Sequence, residues 1–368
     1  MILFGMDRAL VPMFVVTAAI AAAAVSRDGI QCKDPHGQPV DWFTAIKLPN
    51  LHSNVSIGTV YVYLDAKSSE WTRLTDINTE DSAIGHTVSQ MYAKTENYNN
   101  SIMWVVYNDE PTNEPVSFTM GHTKGIVMAD HSMGFWLVHS VPKFPQLPYE
   151  NNNTYTYPHT GLMYGQSFLC MSMTNNELDN VGNQIINNEA YVYGSHFGNN
   201  LKNIYPGLYN TTLPWVHSSK VNNGVRLQSL QSINGIKFLS VSKNRHFGKD
   251  LYEDLITPMT QSNVYVQSWL NSKGSLNSSC SSQYKAMNIK SLSMKKIKGL
   301  ETCWYKTSKD HSKWVITGKF SVPWTCIGDI NRAKTQFHRG GGTVCINSTT
   351  IWNEFKKLVL NIEKCKLS

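Results

Sequence analysis

Gly121-His122-Thr123-Lys124-Gly125 and Asp310-His311-Ser312-Lys313-Trp314 each set one residue between a histidine and a lysine. On an extended strand, residues i and i+2 project from the same face, roughly 6–7 Å apart at Cα. A His-x-Lys strand therefore presents an imidazole and an ammonium side by side. That pair suits a phosphodiester. The ammonium holds a non-bridging oxygen as a point charge, while the imidazole attacks phosphorus or protonates the leaving oxygen. A single triplet recurs by chance, and its usual role is surface solvation. Two copies half a chain apart predict a pseudo-dimer whose halves meet across one site. Similarity outside the triplets is slight, so that expectation rests on the triplets themselves.

The surroundings narrow the chemistry. At 368 residues the chain makes one large domain or two medium ones, and 41% hydrophobic residues are ample for a core. A net charge of +7 with 12 histidines gives a basic surface that becomes more basic in acid. This leans only slightly towards a polyanionic substrate. Residues 1–26 read as a secretory signal: Arg8 closes a short n-region, an apolar run follows, and Ala21 to Ala24 supply small residues for cleavage. No later run is apolar for long enough to span a bilayer, so no membrane anchor is expected.

Sequons begin at Asn54, Asn99, Asn152, Asn210, Asn277 and Asn347. All seven cysteines follow the signal, where disulfides can form, and the odd count leaves at least one thiol unpaired or bridging two chains. There is no Cys-x-x-Cys and no histidine cluster at ligand spacing, so neither a metal site nor a cofactor is predicted.

Along the chain, strands are expected at 40–48, 59–64, 102–107, 122–129 (opened by His122 and Lys124), 134–140 and 263–270, with a further element at 162–173. Helical patterns cover 82–98, 177–187, 249–256 and 349–360. The basic stretch 285–298 reads as a solvated face. A Pro/Gly/Asn loop at 205–213 is the expected seam, dividing the mature chain into halves 27–205 and 206–368, one triplet in each. Strands and helices are mixed throughout, giving an α/β or α+β fold class.

Further blocks make the pattern specific. Gly37-Gln38-Pro39-Val40-Asp41-Trp42-Phe43, Phe135-Trp136-Leu137-Val138-His139-Ser140-Val141-Pro142 and Tyr164-Gly165-Gln166-Ser167 accompany the first triplet. Trp324-Thr325-Cys326-Ile327-Gly328-Asp329 and Arg339-Gly340-Gly341-Gly342-Thr343 accompany the second. Together with the triplets they resemble the deoxyribonuclease II family, over about 32–365, and the Asn- and Lys-rich character resembles its nematode members. The resemblance implies a phospholipase D-like fold of two similar β-sheet and helix halves sharing one active site. It implies a metal-independent acid endonuclease leaving 3′-phosphate and 5′-hydroxyl ends on DNA. It assigns His122, Lys124, His311 and Lys313 to catalysis and His139 to support. It also implies the disulfides Cys32–Cys170, Cys280–Cys365 and Cys326–Cys345. Members commonly carry Cys after the Trp of the second motif, where this chain has Val315, and Cys303 is left over.

The mechanism follows from the chemistry. One neutral imidazole attacks phosphorus to give a phosphohistidine, and the other, protonated, releases the 5′-oxygen. Lys124 and Lys313 offset charge on the phosphoryl oxygens. Two histidines around one phosphate titrate as a pair near an acidic reference value, giving a bell-shaped acid optimum. Pseudo-symmetry lets either ring attack; His122 is taken as nucleophile and His311 as general acid. His139 is as readily a satisfied core histidine. Asp329, Asn331 and Gly340 to Gly342 either bind phosphate or form a tight turn, the glycines being read as structural, and His131 and His338 as solvated. The alternative function is a secreted, catalytically silent DNA- or host-binding member of the same fold; a phospholipid phosphodiesterase is a weaker third. Secretion or lysosomal delivery is expected, and Cys303 leaves room for a homodimer.

Overall fold

In Ile126-Val127-Met128-Ala129 every side chain is buried, yet neighbours enter different cores: Val127 and Ala129 one, Ile126 and Met128 another. A strand apolar on both faces belongs inside a layered molecule rather than at its surface. A computed structural model describes residues 29–365, except 54, 93–94 and 215–223. The expected signal and the sequon at Asn54 lie outside the described residues.

The first half contributes β1 (Trp42–Lys47), a small hairpin of β2 (Asn50–Ser53) and β3 (Ser56–Ile57), then β4 (Tyr61–Asp65), β5 (Thr72–Leu74), β6 (Met103–Asn108), β7 (Lys124–Ala129), β8 (Met133–His139), β9 (Gln166–Thr174) and β10 (Val192–Phe197). Apart from the hairpin they form one sheet in the order β10-β6-β7-β8-β9-β1-β4-β5. The chain enters a second sheet at β11 (Val225–Gln231), followed by β12 (Lys237–Lys243), β13 (Val264–Gln267), β14 (Ala286–Ser293), β15 (Trp304–Lys306), β16 (Trp314–Thr317), β17 (Trp324–Gly328), β18 (Gly341–Asn347) and β19 (Val359–Ile362). Here the order is β11-β12-β18-β17-β16-β13-β14-β15, with β19 on β14.

The two sheets correspond around the motifs. The path β6-β7-β8-β9-β1-β4 in one matches β13-β16-β17-β18-β12-β11 in the other, antiparallel at every step. A helix follows β9 (Asn175–Asn187), and another follows β18 (Thr349–Leu358). Each helix buries an apolar stripe, Leu178, Val181 and Ile185 in one and Ile351, Phe355 and Leu358 in the other. Both stripes join one central core with Trp136, Val138, Leu169 and Met171 of the first sheet and Ile316, Ile327 and Val344 of the second. The outer faces carry separate cores, under the helix Ala83–Ser89 on one side and around Leu251, Tyr252 and Ile256 on the other. The architecture is mixed α+β and mostly sheet.

Several elements differ from the sequence expectation. The pattern at 82–98 is two short helices, Ala83–Ser89 and Glu96–Asn100, capped by Ser82 and Thr95. The C-terminal helix stops at Leu358 because Val359–Ile362 turns into a strand pairing with β14. At 249–256 the helix is one wide turn, Tyr252–Ile256, continued by Thr257–Thr260. The basic stretch is not one solvated face: Lys290 is exposed, but Ile289, Leu292 and Ser293 beside it are buried.

Disulfides join Cys32 to Cys170, Cys280 to Cys365 and Cys326 to Cys345, the pairs implied by the resemblance. Cys303 is free, but its sulfur is packed in the central core and burial pushes the thiol up to about 11. It is not placed to bridge two copies. Asn152, Asn210, Asn277 and Asn347 are exposed, and Asn99 is half-buried. Among the described residues no helix is long and apolar enough to cross a membrane.

Candidate active site

Both histidines lie in the approach to a strand rather than within it: β7 begins at Lys124 and β16 just after Lys313. Their backbone groups bond across the molecule instead. The His122 N–H donates to the Gly340 carbonyl, and the His311 N–H to the Gly165 carbonyl, both at 2.9 Å. The Lys124 N–H donates to Asp329 and the Lys313 N–H to the Ser167 hydroxyl, both at 3.1 Å. Each motif is therefore stapled to the opposite half: the histidines at matching positions, just before β9 and just before β18, and the lysines at different ones, Lys313 to a residue within β9 and Lys124 to one just after β17. The glycines are required by close approach. A Cβ on Gly340 would lie 2.0 Å from the Asn188 carbonyl oxygen, and one on Gly165 2.4 Å from Asp310 Oδ1.

The side chains form a buried ionic cluster. Lys124 pairs with Asp109 and lies 3.8 Å from Glu110, while Arg339 holds the other Asp109 oxygen at 3.1 Å. Burial alone would raise the Asp109 carboxyl, but Lys124, His122 and Arg339 outweigh it and hold it well below the usual carboxylate range. Burial lowers His122 to about 3; Asp109 opposes this, and Lys124, Arg339 and Lys313 add to it. Burial likewise lowers His311 to about 2, helped by Lys313, Lys124 and His122. Lys313 falls to about 8 through burial and the charge of Lys124. Each histidine thus feels the lysine of the other motif, and the four groups share one field.

Three buried polar atoms of this cluster have no hydrogen-bond partner: His122 Nδ1, His311 Nε2 and Asn331 Oδ1. Buried groups are normally satisfied, so these three atoms are open to a polar ligand. Asn331 Nδ2 reaches His122 Nε2 at 3.5 Å. The His311 ring is held by aromatic contacts, stacked on Tyr164 at 4.6 Å and edge-on to Trp269 at 4.0 Å.

The other expected residues take distinct places. Asp329 is buried and accepts from the Thr123 hydroxyl, the Lys124 N–H and the Gly342 N–H, so it holds the first motif from the opposite half. Burial pushes it up to about 7. His139 is fully buried at the end of β8; its Nδ1 accepts from the Val141 N–H at 3.2 Å, and its ring packs on Phe144 and Phe168. Burial lowers it to about 3, with the Lys124 charge adding. His131 and His338 are exposed and outside the cluster. Asp109, Glu110 and Trp269 were not legible as site residues: Asp109-Glu110-Pro111 reads as a strand stop, and Trp269 as part of a strand. Their only signal is position, one strand away from a motif.

The whole of this arrangement falls within a match to the family model described as Deoxyribonuclease II, over residues 31–365. The chain is 33% identical to Cell-death-related nuclease 7 of Caenorhabditis elegans, covering 92% of this chain and 89% of that protein. It is 33% identical to Deoxyribonuclease-2-alpha of Mus musculus, covering 93% and 95% respectively, and 34% identical to Plancitoxin-1 of Acanthaster planci, covering 95% and 96%. The chain belongs to the deoxyribonuclease II family. It is a hydrolase of the nuclease class.

Proposed function

We propose that this protein is an acid endonuclease that cleaves DNA through the two His-x-Lys motifs, without a metal, on a phospholipase D-like pair of halves. The observation that carries the reading is the reciprocal stapling of the two motifs, which gathers two histidines and two lysines around unpartnered buried polar atoms. The relatives' names, deoxyribonuclease and nuclease, supply the substrate class. Backbone phosphates are what such a cluster engages, so little sequence preference is expected.

The neutral ring attacks phosphorus through nitrogen, the P–O5′ bond breaks, and the protonated ring gives its proton to the departing oxygen. That ring, now neutral, takes a proton from water, whose oxygen attacks phosphorus; the P–N bond breaks, freeing the attacking ring and leaving a 3′-phosphate beside the 5′-hydroxyl product. Lys124 and Lys313 offset charge on the phosphoryl oxygens, while Asp109 is committed to two cations and Asp329 to three donors. The strongest charge on His122 is Asp109, which favours the charged ring; on His311 it is Lys313, which disfavours it. The field therefore supports His311 as nucleophile and His122 as general acid, the reverse of the order taken from sequence. With both rings pushed below their ordinary value, protonation needs acid and the charge of the bound phosphate.

Entry into the secretory pathway fits three disulfides and exposed sequons, giving a secreted or lysosomal enzyme. Denaturing quench with detergent at alkaline pH, where a phosphohistidine survives, of a reaction with 5′-end-labelled DNA tests the mechanism. The label is expected on His311, and His311→Ala, lacking the attacking nitrogen, is expected to lose cleavage while still binding DNA. Near wild-type turnover in His311→Ala would sink the two-histidine mechanism, and label on His122 would restore the opposite assignment.

A further inference from the structure

Two buried lysines outside the motifs occupy matching places in the two halves. Lys47 closes β1 and Lys243 closes β12, the strands paired with β9 and β18. Lys47 Nζ donates to the Leu162 carbonyl at 2.8 Å, three residues before Gly165. Lys243 Nζ donates to the carbonyls of Gln336, Phe337 and Arg339 at 2.8, 3.2 and 2.6 Å, immediately before Gly340. Gly165 and Gly340 are the residues whose carbonyls receive the His311 and His122 N–H groups.

A buried ammonium is costly, and a methionine would fill the same space without that cost. What the ammonium adds is donors: it gathers loop carbonyls that lie outside the sheet ladders, of which Gln336 also takes the Arg339 N–H at 3.3 Å. Among the described residues neither Lys47 nor Lys243 is in a salt bridge with a carboxylate, so the loops are their direct partners.

We propose that Lys47 and Lys243 are positioning residues for the nuclease reaction, each fixing the loop that holds the motif histidine of the opposite half. Lys47 sets His311 through the segment from Leu162 to Gly165, which also carries the stacking ring of Tyr164. Lys243 sets His122 through the segment from Gln336 to Gly340. Burial draws Lys47 down to about 7, opposed by Asp310, and Lys243 to about 8, opposed by Asp250 and Glu189 and assisted by Arg339. Both are charged in acid, where the proposed reaction runs; Lys47 loses its charge around neutrality and Lys243 above it.

The inference rests on the two-histidine reading, and its test separates the two. Lys47→Met and Lys243→Met are compared with wild type and His311→Ala for plasmid cleavage and for amide hydrogen exchange at pH 5. Each Met variant is expected to lose at least tenfold in kcat with KM within about twofold, and the neutral-side limb of its kcat profile to move. The exchange pattern is expected to cross. Lys47→Met speeds exchange at least fivefold at 311–313 and leaves 122–124 protected, and Lys243→Met does the reverse. Unchanged protection at both motifs, or equal loosening of both in each variant, overturns the proposal. Lys47→Gln and Lys243→Gln serve the same comparison if a Met variant does not fold. An inactive wild type, or an active His311→Ala, overturns the catalytic reading instead, while the crossed exchange pattern still decides the positioning role.

Discussion

Asp109 lies between two cations that have no other carboxylate so close, Lys124 on one oxygen and Arg339 on the other. All three are largely removed from water, so the pairing is a condition for burying Lys124 beside the histidines rather than an ornament on it. Replacing Asp109 by Asn leaves two buried cations uncompensated, which typically costs about 3–5 kcal/mol. Urea unfolding of Asp109→Asn is expected to show a loss of that size together with lost cleavage; a stability within about 0.5 kcal/mol of wild type would remove Asp109 from the centre of the cluster. The four motif residues were legible because triplets survive as local patterns. Asp109, Arg339 and Trp269 act through neighbouring strands, and no spacing along the chain encodes which strand lies beside which. His139 was ambiguous in sequence and is still best described by its packing: a buried ring behind Lys124 with one unpartnered nitrogen.

Among elements, β1, β4, β6, β7 and β8 were the most legible because their residues are buried on both faces and bounded by turn formers, whereas in the second sheet only β13 was read as a strand. The pattern at 82–98 misled because its apolar spacing is weak, and two side-chain caps cut it into separate turns. The C-terminal helix was read too long for a different reason. Val359-Leu360 continues the apolar pattern, but the vacant edge of β14 takes it as a strand. The glycine loop at the start of β18 shows how an element positions chemistry: Gly340 lets the backbone lie against the Asn188 carbonyl while its own carbonyl takes the His122 N–H. Gly340→Ala cannot keep both contacts. It is expected to cost about 1–3 kcal/mol, as overpacking does, and to cut cleavage more than DNA binding. Thermal unfolding and a binding titration check this; an alanine variant with wild-type melting and turnover would show that the loop shifts freely.

For the whole molecule, three buried acids shift in the opposite sense to the buried histidines. Asp250 and Asp310 rise to about 6 and Asp329 to about 7 from 3.8, so the folded protein holds protons that the unfolded chain has released. Their stabilisation is complete below about pH 3.8 and is lost as pH rises through 6 to 7. His122 and His139 fall to about 3 and His311 to about 2 from 6.5, so here the unfolded chain holds the extra protons. That set favours folding fully above about pH 6.5 and less as pH falls towards 3. Between about pH 4 and 6 the two sets oppose each other and the slope of stability with pH is near zero. Below about pH 4 the histidine contribution and the lowered Asp109 act together, and stability falls. Tm is therefore expected to be flat from about pH 4 to 7 and to drop below 4; a steady rise from 4 to 7 would contradict the balance. Such a plateau suits work in an acidic compartment.

The claim on which the account depends is acid cleavage of DNA by the two paired motifs without a metal. Nicking of supercoiled plasmid by the purified protein, in EDTA, at about pH 5 and about pH 7.5, tests it most directly, because those values bracket the ordinary histidine pKa. The account predicts open-circular and linear product at the lower pH, undiminished by chelation, with little at the higher. Folded, disulfide-bonded protein that leaves the plasmid intact at both values would contradict it and point to a binding protein on a nuclease fold.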